Sequence, residues 1–302
     1  MIPKMIMMCG LVGSGKTVKA QELAEQYNAT VFSSDALREE LFGNVNDQSH
    51  NQELFVELHK RIKECLRAGH SAIYDATNIS YKKRMAFLAE LKNIPSEKIC
   101  VLMATPYEEC LKRNVERERK VPEYVIKRMY MNFNIPYWYE GWDDIQIEYG
   151  NYEGYYFSPL NFFNKYINYN QHNSHHELTL GEHCLRTSLH IFQKTPNDFT
   201  MIFAALTHDC GKPFCATFKN KKGETTEECH YYDHQFVGAY NSLFYDYRTS
   251  TANPLDIAIR IMWHMQPYFN KEEKTQNKYH KLWGEELYQD IMVLHTADKE
   301  AH

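Results

Sequence analysis

The chain has 302 residues, of which 43% are hydrophobic and 24% charged, a composition typical of a soluble globular protein with room for two domains. A net charge of −5 argues against binding along an extended stretch of nucleic acid, although it allows contact with a few nucleotides at the end of a nucleic-acid strand. No apolar run reaches the length of a membrane span, and eight scattered cysteines without a CxxC pair favour reduced thiols, so we expect a cytoplasmic protein that contacts no membrane.

The first predicted strand runs directly into a phosphate-binding motif. Residues 4–9, KMIMMC, predict a short buried strand, and GLVGSGKT at 10–17 precedes an amphipathic helix. This strand–GxxxxGK[ST]–helix order is what a P-loop requires, so the segment predicts a site for a nucleoside triphosphate such as ATP. Lys16 would reach the β- and γ-phosphates, and Thr17 would hold Mg²⁺. The candidate ligands of ATP and Mg²⁺ are Gly10, Gly13, Ser14, Gly15, Lys16, Thr17 and Asp75.

Strands and helices alternate through the rest of this half, which predicts an α/β fold with a parallel sheet. The predicted strands are 30–34, 71–75 and 98–104, and the predicted helices are 35–43, 51–69 and 81–92. Ligand groups are expected where such strands end. Asp35 and Asp75 follow two of them, and either carboxylate could accept a proton or order Mg²⁺. The alternatives are a helix N-cap for Asp35 and a simple turn for Asp75 and Asn78.

Residues 110–133 carry a cluster of arginines, Arg113, Arg117 and Arg119, interleaved with glutamates. One interpretation is a lid whose arginines neutralise charge on the transferred phosphoryl group. The other is a solvated helix face with i,i+4 ion pairs. Pro122 follows the cluster and predicts a helix break, hence a movable flap.

Four motifs together resemble the polynucleotide-kinase-like branch of the P-loop phosphotransferases: the P-loop, SSDALR, DATN and RNVERERKVP. The resemblance covers about residues 4–140. It implies that Asp35 is the general base on an acceptor hydroxyl, that Arg38 binds a phosphate of the acceptor, and that lid arginines clamp the donor.

Histidine is the residue type that separates the two halves, because 12 of the 15 histidines lie from His172 onward. The predicted domains are residues 1–150 and 173–302, joined by an aromatic-rich linker at 151–172. Packing between domains explains this aromatic run better than base stacking does. The candidate metal ligands of the second half are spaced along successive predicted helices: His183, His208, Asp209, His234, His264 and Asp298. Imidazole and carboxylate without thiolate suit a hydrolytic divalent metal, although any one of these histidines alone is better explained as a core residue.

The order H…HD…H…H…D resembles the HD phosphohydrolase superfamily over roughly 172–302. The motifs HDCGKP, HYYDHQFVGA and HHELTLGEH are most similar to the HD domains of tRNA-nucleotidyltransferase-type enzymes. The resemblance implies an all-α HD bundle in which His183, His208, Asp209 and Asp298 hold a first metal of the Mn²⁺, Co²⁺, Ni²⁺ or Fe²⁺ class. His234 and His264 would hold a second metal or the substrate phosphate, and Lys212 would supply positive charge to a phosphoryl oxygen. His230, four residues before His234, would share a helix face with it, either as a substrate contact or as a surface histidine.

A kinase joined to a phosphohydrolase makes sense on a broken RNA, whose ends carry 5′-OH and 2′,3′-cyclic phosphate groups. We therefore expect a bifunctional end-healing enzyme that acts on RNA ends, or on DNA ends, with an NTP donor and an RNA ligase as partner. Its kinase residues would be Lys16, Asp35, Arg38, Arg113, Arg117 and Arg119. Two alternatives remain open: a small-molecule kinase fused to a nucleotide phosphohydrolase, and an ATP-gated sensor that binds a nucleotide signal.

Overall fold

The chain folds into two compact units, seen in a computed structural model that describes residues 2–150, 159–174, 177–247, 251–269 and 272–301. The first unit comprises Met1–Met129 and Pro136–Asn151, and the second comprises Tyr130–Ile135 and Tyr152–His302. Residues 151–158 of the predicted linker lie outside the described residues, as do His175 and His176 of the HHELTLGEH motif.

The first unit is built on a five-stranded parallel sheet, as the alternating pattern predicts. Its strands are β1 (Lys4–Cys9), β2 (Thr30–Ser33), β3 (Ala72–Asp75), β4 (Glu97–Ala104) and β5 (Asp144–Tyr149). The order β2-β3-β1-β4-β5 places the strand that precedes the P-loop at the centre. The strand β5 was not among the predicted elements, although its segment DIQIEY alternates polar and apolar residues as a half-buried strand does.

Helices connect these strands, and their apolar residues recur at the helical period. They are α1 (Lys16–Tyr27), α2 (Ser34–Phe42), α3 (Asn51–Arg67), α4 (Tyr81–Glu90), α5 (Tyr107–Glu116) and α6 (Glu123–Met131). In α3 the buried residues Leu54, Leu58, Ile62 and Leu66 are four apart, so one stripe faces the sheet. The helix α2 ends as predicted at Gly43, whose φ of 63° is the left-handed conformation that favours glycine. The predicted break at Pro122 separates α5 from α6.

The carboxyl ends of the central strands bring the predicted phosphate-binding residues to one edge of this sheet. Gly10 follows β1, Asp75 ends β3, and α2 begins directly after β2. Behind that edge, β1 and β4 contribute Ile6, Met8, Ile99 and Val101 to a core cluster that α1 covers with Ala20 and Leu23. Burial of these apolar side chains holds the strand ends in register, and the P-loop is anchored on this core.

The second unit is mainly helical. Its helices are α7 (Pro159–Tyr166), α8 (Leu180–Lys194), α9 (Phe199–Thr207), α10 (Lys212–Cys215), α11 (His234–Ser242), α12 (Pro254–Trp263), α13 (Gln266–Phe269) and α14 (Glu273–Glu300). The expectation of an all-α fold was too simple, because β6 (Thr217–Lys219) and β7 (Thr225–His230) form an antiparallel pair. Threonine-rich strands and a turn with Gly223 at a φ of 85° favour this hairpin over a helix.

Helix caps and apolar packing set the positions of the helices that carry the predicted ligands. Thr179 and Glu182 form a capping box at the start of α8, and the Asp198 side chain accepts a hydrogen bond from the Met201 N–H at the start of α9. Ile191 of α8, Met201 of α9 and Leu294 of α14 then meet in one buried cluster. The described part of the predicted linker contains α7, whose Phe162 packs on Leu180, Cys184 and Cys210 within this unit.

All eight cysteines are free thiols. In the part of the chain that the structure describes, we find no helix with both the length and the apolar character that crossing a membrane requires.

Candidate active sites

The P-loop lines a cleft of about 1010 Å³ in the first unit. Two of its glycines have backbone conformations that other residues rarely adopt, with a φ of 81° at Gly13 and 91° at Gly15. A side chain at Gly13 would also place its Cβ 2.4 Å from the carbonyl oxygen of Cys110. No side chain of the described residues caps α1, which begins at the P-loop. The first N–H groups of that helix are therefore available to an anion such as a phosphate.

Lys16, Thr17 and Asp75 meet at the floor of this cleft. The Thr17 hydroxyl donates to Asp75 Oδ2 at 2.9 Å, which pairs the two oxygen ligands that Mg²⁺ prefers. Lys16 Nζ donates to the carbonyl oxygen of Leu11 at 2.6 Å. Burial lowers the pKa of Lys16 and raises the pKa of Asp75, and each group partly offsets the shift of the other. These residues fit a magnesium–triphosphate group. The negative phosphates would meet the Lys16 ammonium, and the Mg²⁺ ion would meet the oxygens of Thr17 and Asp75.

The three predicted lid arginines all line the same cleft. Arg113, on α5, donates to Glu109 at 2.8 Å, and Arg117 caps the end of that helix. Arg119 lies in the turn before Pro122 and pairs with Asp35 Oδ2 at 2.5 Å. The solvated-face interpretation describes the Arg113–Glu109 contact, which has i,i+4 spacing, but it does not explain the contact between Arg119 and Asp35.

Asp35 lies in the first turn of α2 and is not its cap. The side chain of Ser33 fills that role by accepting from the Ala36 N–H, so the N-cap alternative for Asp35 is excluded. Nearly half of the Asp35 side chain is exposed to the cleft. Asp35 is thus a carboxylate at the cleft wall whose partner within the protein is a lid arginine.

Arg38 lies one helical turn beyond Asp35 and is almost fully buried although it lines the cleft. Its Nη1 donates to the Asp47 carbonyl oxygen at 2.6 Å and to Asn51 Oδ1 at 2.9 Å. Its Nε has no hydrogen-bond partner among the described residues. A buried guanidinium with a free donor next to a cleft is suited to bind an anionic group.

Asn78 is a structural residue, in line with the turn interpretation. It adopts a φ of 46°, donates to the Met8 carbonyl oxygen at 2.9 Å and accepts a bond from Arg84 on its own carbonyl. Sequence reasoning missed three further cations that line the cleft, Lys83, Lys120 and Arg128. Only Lys120 carried a signal, because it ends the basic run before Pro122.

The second unit gathers all six predicted metal ligands into one buried cluster. His183, His234 and Asp298 lie on α8, α11 and α14, whereas His208 and Asp209 directly follow α9 and His264 directly follows α12. Among the described residues, two overlapping groups are close enough to hold a metal ion: His183, His208 and Asp209, and Asp209, His234 and His264. Asp209 is common to both. Its Oδ2 lies 3.4 Å from His208 Nε2, while its Oδ1 lies 3.1 Å from His234 Nε2. Asp298 completes the first group, with its Oδ1 2.9 Å from His183 Nε2.

Three of the histidines are held in the orientation that metal ligands need. The Nδ1–H groups of His208, His234 and His264 each donate to a backbone carbonyl oxygen at 2.7 Å. That bond occupies Nδ1 and leaves Nε2 of each ring facing the centre of the cluster. Four imidazole nitrogens and two carboxylates fit divalent transition metals, and the carboxylate of Asp209 is placed to serve two ions.

The carboxylates of this cluster are held in their charged form. Burial raises the pKa of Asp209, but Lys212 and His208 outweigh it and hold that pKa well below its ordinary value. The pKa of Asp298 is likewise held well below its ordinary value by His183 and His208, against the opposing effect of burial. The cluster therefore presents ionised oxygens to a cation at neutral pH.

Lys212 lies next to the cluster but is paired with one of its ligands. Its Nζ lies 2.6 Å from Asp209 Oδ2 and donates to Gln171 Oε1 at 2.8 Å. The expectation that His230 shares a helix face with His234 is wrong, because His230 ends β7 and α11 begins only at His234. Asp233, with a φ of 62°, turns the chain between them. Sequence reasoning missed Tyr268, whose hydroxyl donates to Asp298 Oδ2 at 2.8 Å and for which no motif gave a signal.

Comparison with known proteins gives a family match in the first half of the chain. A family model described as an AAA domain matches residues 5–136. The L-seryl-tRNA(Sec) kinase of Methanococcus maripaludis is 28% identical over 151 residues, which are 48% of this chain. The matched part spans 58% of that relative's own length.

Two solved structures are also similar to this chain. A kinase from Chloroflexus aurantiacus has a TM-score of 0.41 at 17% identity, covering 49% of this chain and 85% of its own. A chain of the Pnkp1/Rnl/Hen1 complex has a TM-score of 0.35 at 20% identity, covering 40% of each chain. The family match and the geometry of the P-loop together identify the N-terminal half as a P-loop domain of the kinase type.

Proposed function

We propose that this chain is a bifunctional RNA end-healing enzyme. The first unit would phosphorylate 5′-OH ends with ATP, and the second would remove 2′,3′-cyclic, 2′- or 3′-phosphate. The observation that carries the proposal is the buried cluster of four histidines and two aspartates in a chain that also holds a P-loop cleft. One site suits phosphoryl transfer and the other suits phosphoester hydrolysis.

In the kinase half, Asp35 would accept the proton of the attacking hydroxyl. It lies at the cleft wall, with Arg119 as its partner. Lys16 and the lid arginines would bind the phosphates of the donor, and Arg38 would bind a phosphate of the acceptor strand. Thr17 and Asp75 would hold Mg²⁺, which when bound neutralises charge on the β- and γ-phosphates.

In the hydrolase half, His183, His208, Asp209 and Asp298 would hold a first divalent metal, and His234 and His264 a second metal or the substrate phosphate. Bound cations of this kind supply Lewis acidity toward a phosphoryl group and lower the pKa of an attacking water. Lys212 keeps Asp209 ionised and adds positive charge beside the position of the phosphate. The helices exclude bulk water from all six side chains, which strengthens these interactions.

RNA ends fit both chemistries at once. A kinase and a phosphohydrolase acting on the same atom would be futile, whereas ribonuclease cleavage leaves two ends that need opposite treatment before an RNA ligase can join them. The relative from Methanococcus maripaludis is named for an acceptor carried on a tRNA, which supports an RNA-borne acceptor for this kinase domain as well. DNA ends share the same chemistry and are an outcome of the test.

The test uses one RNA that carries a 5′-OH and a 2′,3′-cyclic phosphate and is labelled so that both ends can be followed. The wild-type protein is incubated with ATP and Mg²⁺, and with Mn²⁺, Co²⁺ or Ni²⁺. We expect a 5′-phosphate and a phosphate-free 3′ end. Asp209→Asn should lose bound transition metal and 3′-end hydrolysis while it keeps the 5′ kinase activity.

Asp233→Asn is the matched control, because Asp233 is an aspartate next to a ligand but outside the cluster, and asparagine tolerates its left-handed conformation. A wild-type protein that hydrolyses no phosphoester with any of these metals would refute the hydrolase half. The net charge of −5 favours a second candidate, a small-molecule kinase joined to a nucleotide phosphohydrolase. That candidate predicts that oligonucleotides do not compete with nucleoside substrates at either site.

A further inference from the structure

A second cavity lies in the C-terminal unit, beside the His/Asp cluster but outside its set of ligands. Its volume is about 400 Å³, and four of its lining residues are aromatic, namely Tyr268, Tyr279, Trp283 and Tyr288. Small-molecule sites occupy roughly 300–1,000 Å³ and combine apolar walls with a few polar groups. The size and the lining therefore match a site for a planar organic group.

A kink in α14 forms this cavity. Gly284 has φ 72° and ψ 173°, a conformation that is essentially restricted to glycine and that interrupts the helix. Tyr279 and Trp283 precede the kink, and Tyr288 and His295 follow it, yet all four line the cavity. In a straight helix, residues 279 and 288 would lie about 13 Å apart along the axis. The bend therefore places two aromatic segments around one space.

Two side-chain contacts connect the residues that line the cavity with the His/Asp cluster. The Tyr268 hydroxyl donates to Asp298 Oδ2 at 2.8 Å, and the Tyr268 ring packs edge-on against His295 at 4.3 Å. Trp263 directly precedes the ligand His264, and its ring lies 5.3 Å from the ring of Trp283. A single side chain, that of Tyr268, would thus separate a molecule in the cavity from the cluster.

Two residues that line the cavity carry buried polar atoms with no hydrogen-bond partner among the described residues. Trp283 is 2% exposed, and its indole N–H has no hydrogen-bond partner among the described residues. The same holds for Nδ1 of His295. Buried donors and acceptors are normally paired, so two such atoms at one cavity indicate a partner with polar edges. A nucleobase has polar edges and a π-face that stacks on aromatic rings.

We propose that this cavity binds the nucleobase of the nucleotide whose phosphate is hydrolysed at the His/Asp cluster. This proposal rests on the hydrolase half of the proposed function and specifies its substrate as a nucleotide, in preference to any phosphoester. Tyr279 and Tyr288 would flank the base, and Trp283 and His295 would bond to its edge. Because stacking tolerates every base, the site would recognise a terminal nucleotide without strong sequence preference.

The experiment compares adenosine 2′,3′-cyclic phosphate with its base-free analogue, 1,4-anhydroribitol 2,3-cyclic phosphate, without ATP and with Mn²⁺. Tyr279→Leu keeps apolar bulk but removes the aromatic face. We expect kcat/KM for the adenosine compound to fall about 10- to 100-fold, the range that loss of base stacking gives, mainly through KM. Hydrolysis of the base-free compound should stay within about 2-fold of wild type, because the cluster itself is untouched.

Phe269→Leu is the matched control, since Phe269 neighbours Tyr268 in sequence but is 64% exposed and does not line the cavity. Tyr288→Leu provides a second variant in case Tyr279→Leu does not fold. Equal losses on both compounds in either folded variant, or a wild-type enzyme that treats them alike, would overturn the proposal.

Binding provides a readout that does not depend on hydrolysis. Adenosine 3′-monophosphate is titrated into the full chain by calorimetry, with a non-hydrolysable ATP analogue saturating the P-loop cleft. If wild type hydrolyses neither compound but Tyr279→Leu still weakens binding about 10-fold or more relative to Phe269→Leu, the proposed hydrolase function fails, and what stands is that the cavity binds a nucleobase. If wild type is active and Tyr279→Leu binds as tightly as Phe269→Leu, the cavity proposal fails alone.

Discussion

At the residue scale, Asp35 lies in the first turn of α2 but does not cap this helix. Ser33 caps α2, so Asp35 is not needed to satisfy the first N–H groups of that helix. Its carboxylate instead faces the cleft and pairs with Arg119. Its position at the cleft fits the proposed role of a general base on the acceptor hydroxyl.

The first prediction concerns Asp35→Asn, which keeps the size of the side chain but removes the charge that accepts a proton. We expect phosphorylation of 5′-OH RNA to fall on the order of 10²-fold or more, with ATP affinity little changed. Glu40→Gln on the same helix is the control, because its surface pair with Arg61 contributes little. A near-normal rate in Asp35→Asn would remove this residue from the catalytic groups.

The second prediction concerns Asp47, in the loop whose backbone carbonyl holds Arg38. Hydrogen bonds from the Ser49 side chain and backbone, together with His50, lower the pKa of Asp47 to about 2. Because its unfolded pKa is about 3.9, this group contributes stability that is fully present above that pH and lost as the pH falls toward 2. An NMR titration of the carboxyl group measures the pKa directly.

Ser49→Ala should raise the pKa of Asp47, because it removes the largest single cause of the shift. Ser80→Ala lies outside this loop and should leave that pKa unchanged. Titration of wild-type Asp47 near 3.9 would show that the loop does not hold this arrangement in solution.

At the scale of elements, one buried ion pair fastens α4 to the turn at Trp138–Glu140. Arg84 donates to Glu140 through Nε at 2.7 Å and Nη2 at 2.6 Å, and both side chains are fully buried. Trp142 adds a third bond to the same carboxylate. Arg84 also donates to the Asn78 carbonyl oxygen, so the pair connects to the segment after β3 that carries Asp75.

The third prediction is that Glu140→Gln destabilises the protein by about 3–5 kcal/mol, because it leaves the Arg84 charge buried without its counter-ion. Replacing both residues, as Arg84→Met with Glu140→Leu, should recover much of that loss. Urea denaturation gives the free energies of unfolding. As a control, Glu57→Gln breaks pairs with Lys60 and Arg61 near the surface and should change the stability little. If the double variant were less stable than Glu140→Gln, the account of an unpaired charge would be incorrect.

At the scale of the whole molecule, each unit contains a complete set of its own candidate catalytic residues. The P-loop, Asp35, Asp75 and the lid arginines belong to the first unit, and all six cluster residues belong to the second. The two activities should therefore be separable by single substitutions.

The fourth prediction is that Lys16→Ala abolishes 5′ phosphorylation while 3′-end hydrolysis stays close to wild type. Lys16 reaches only the cleft of the first unit, where its loss removes the positive charge that binds the donor phosphates. Both ends of the same labelled RNA are measured in one reaction. Lys19→Ala is the control, because Lys19 pairs with Glu22 and Glu148 outside the cleft. Equal loss of both activities in folded Lys16→Ala protein would contradict the separation.

The sequence by itself determined the features that depend on local pattern. The P-loop, the alternation that builds the parallel sheet, the helix end at Gly43 and the break at Pro122 all follow from hydrophobic period, glycine and proline. The six histidine and aspartate residues of the second half were also predicted, because their order H…HD…H…H…D along the chain resembles that of a known family. The hairpin β6–β7 could not be predicted, since its short, half-polar strands lack a clear period. The strand β5 was also missed, although its alternating DIQIEY segment carries the period of a strand.

Only the tertiary structure decided which groups meet. It brings Arg119 into an ion pair with Asp35 and Thr17 into a hydrogen bond with Asp75. It also points the two carboxylate oxygens of Asp209 toward different histidines. It also shows that His230 ends the strand β7, whereas His234 begins the helix α11. Sequence spacing fixes which residues share a helix or strand, whereas contacts between elements depend on how buried apolar surfaces pack, and that packing is a property of the whole unit. For the same reason the aromatic cavity at Gly284 left no motif, because its walls come from both sides of a bend that exists only in the folded chain.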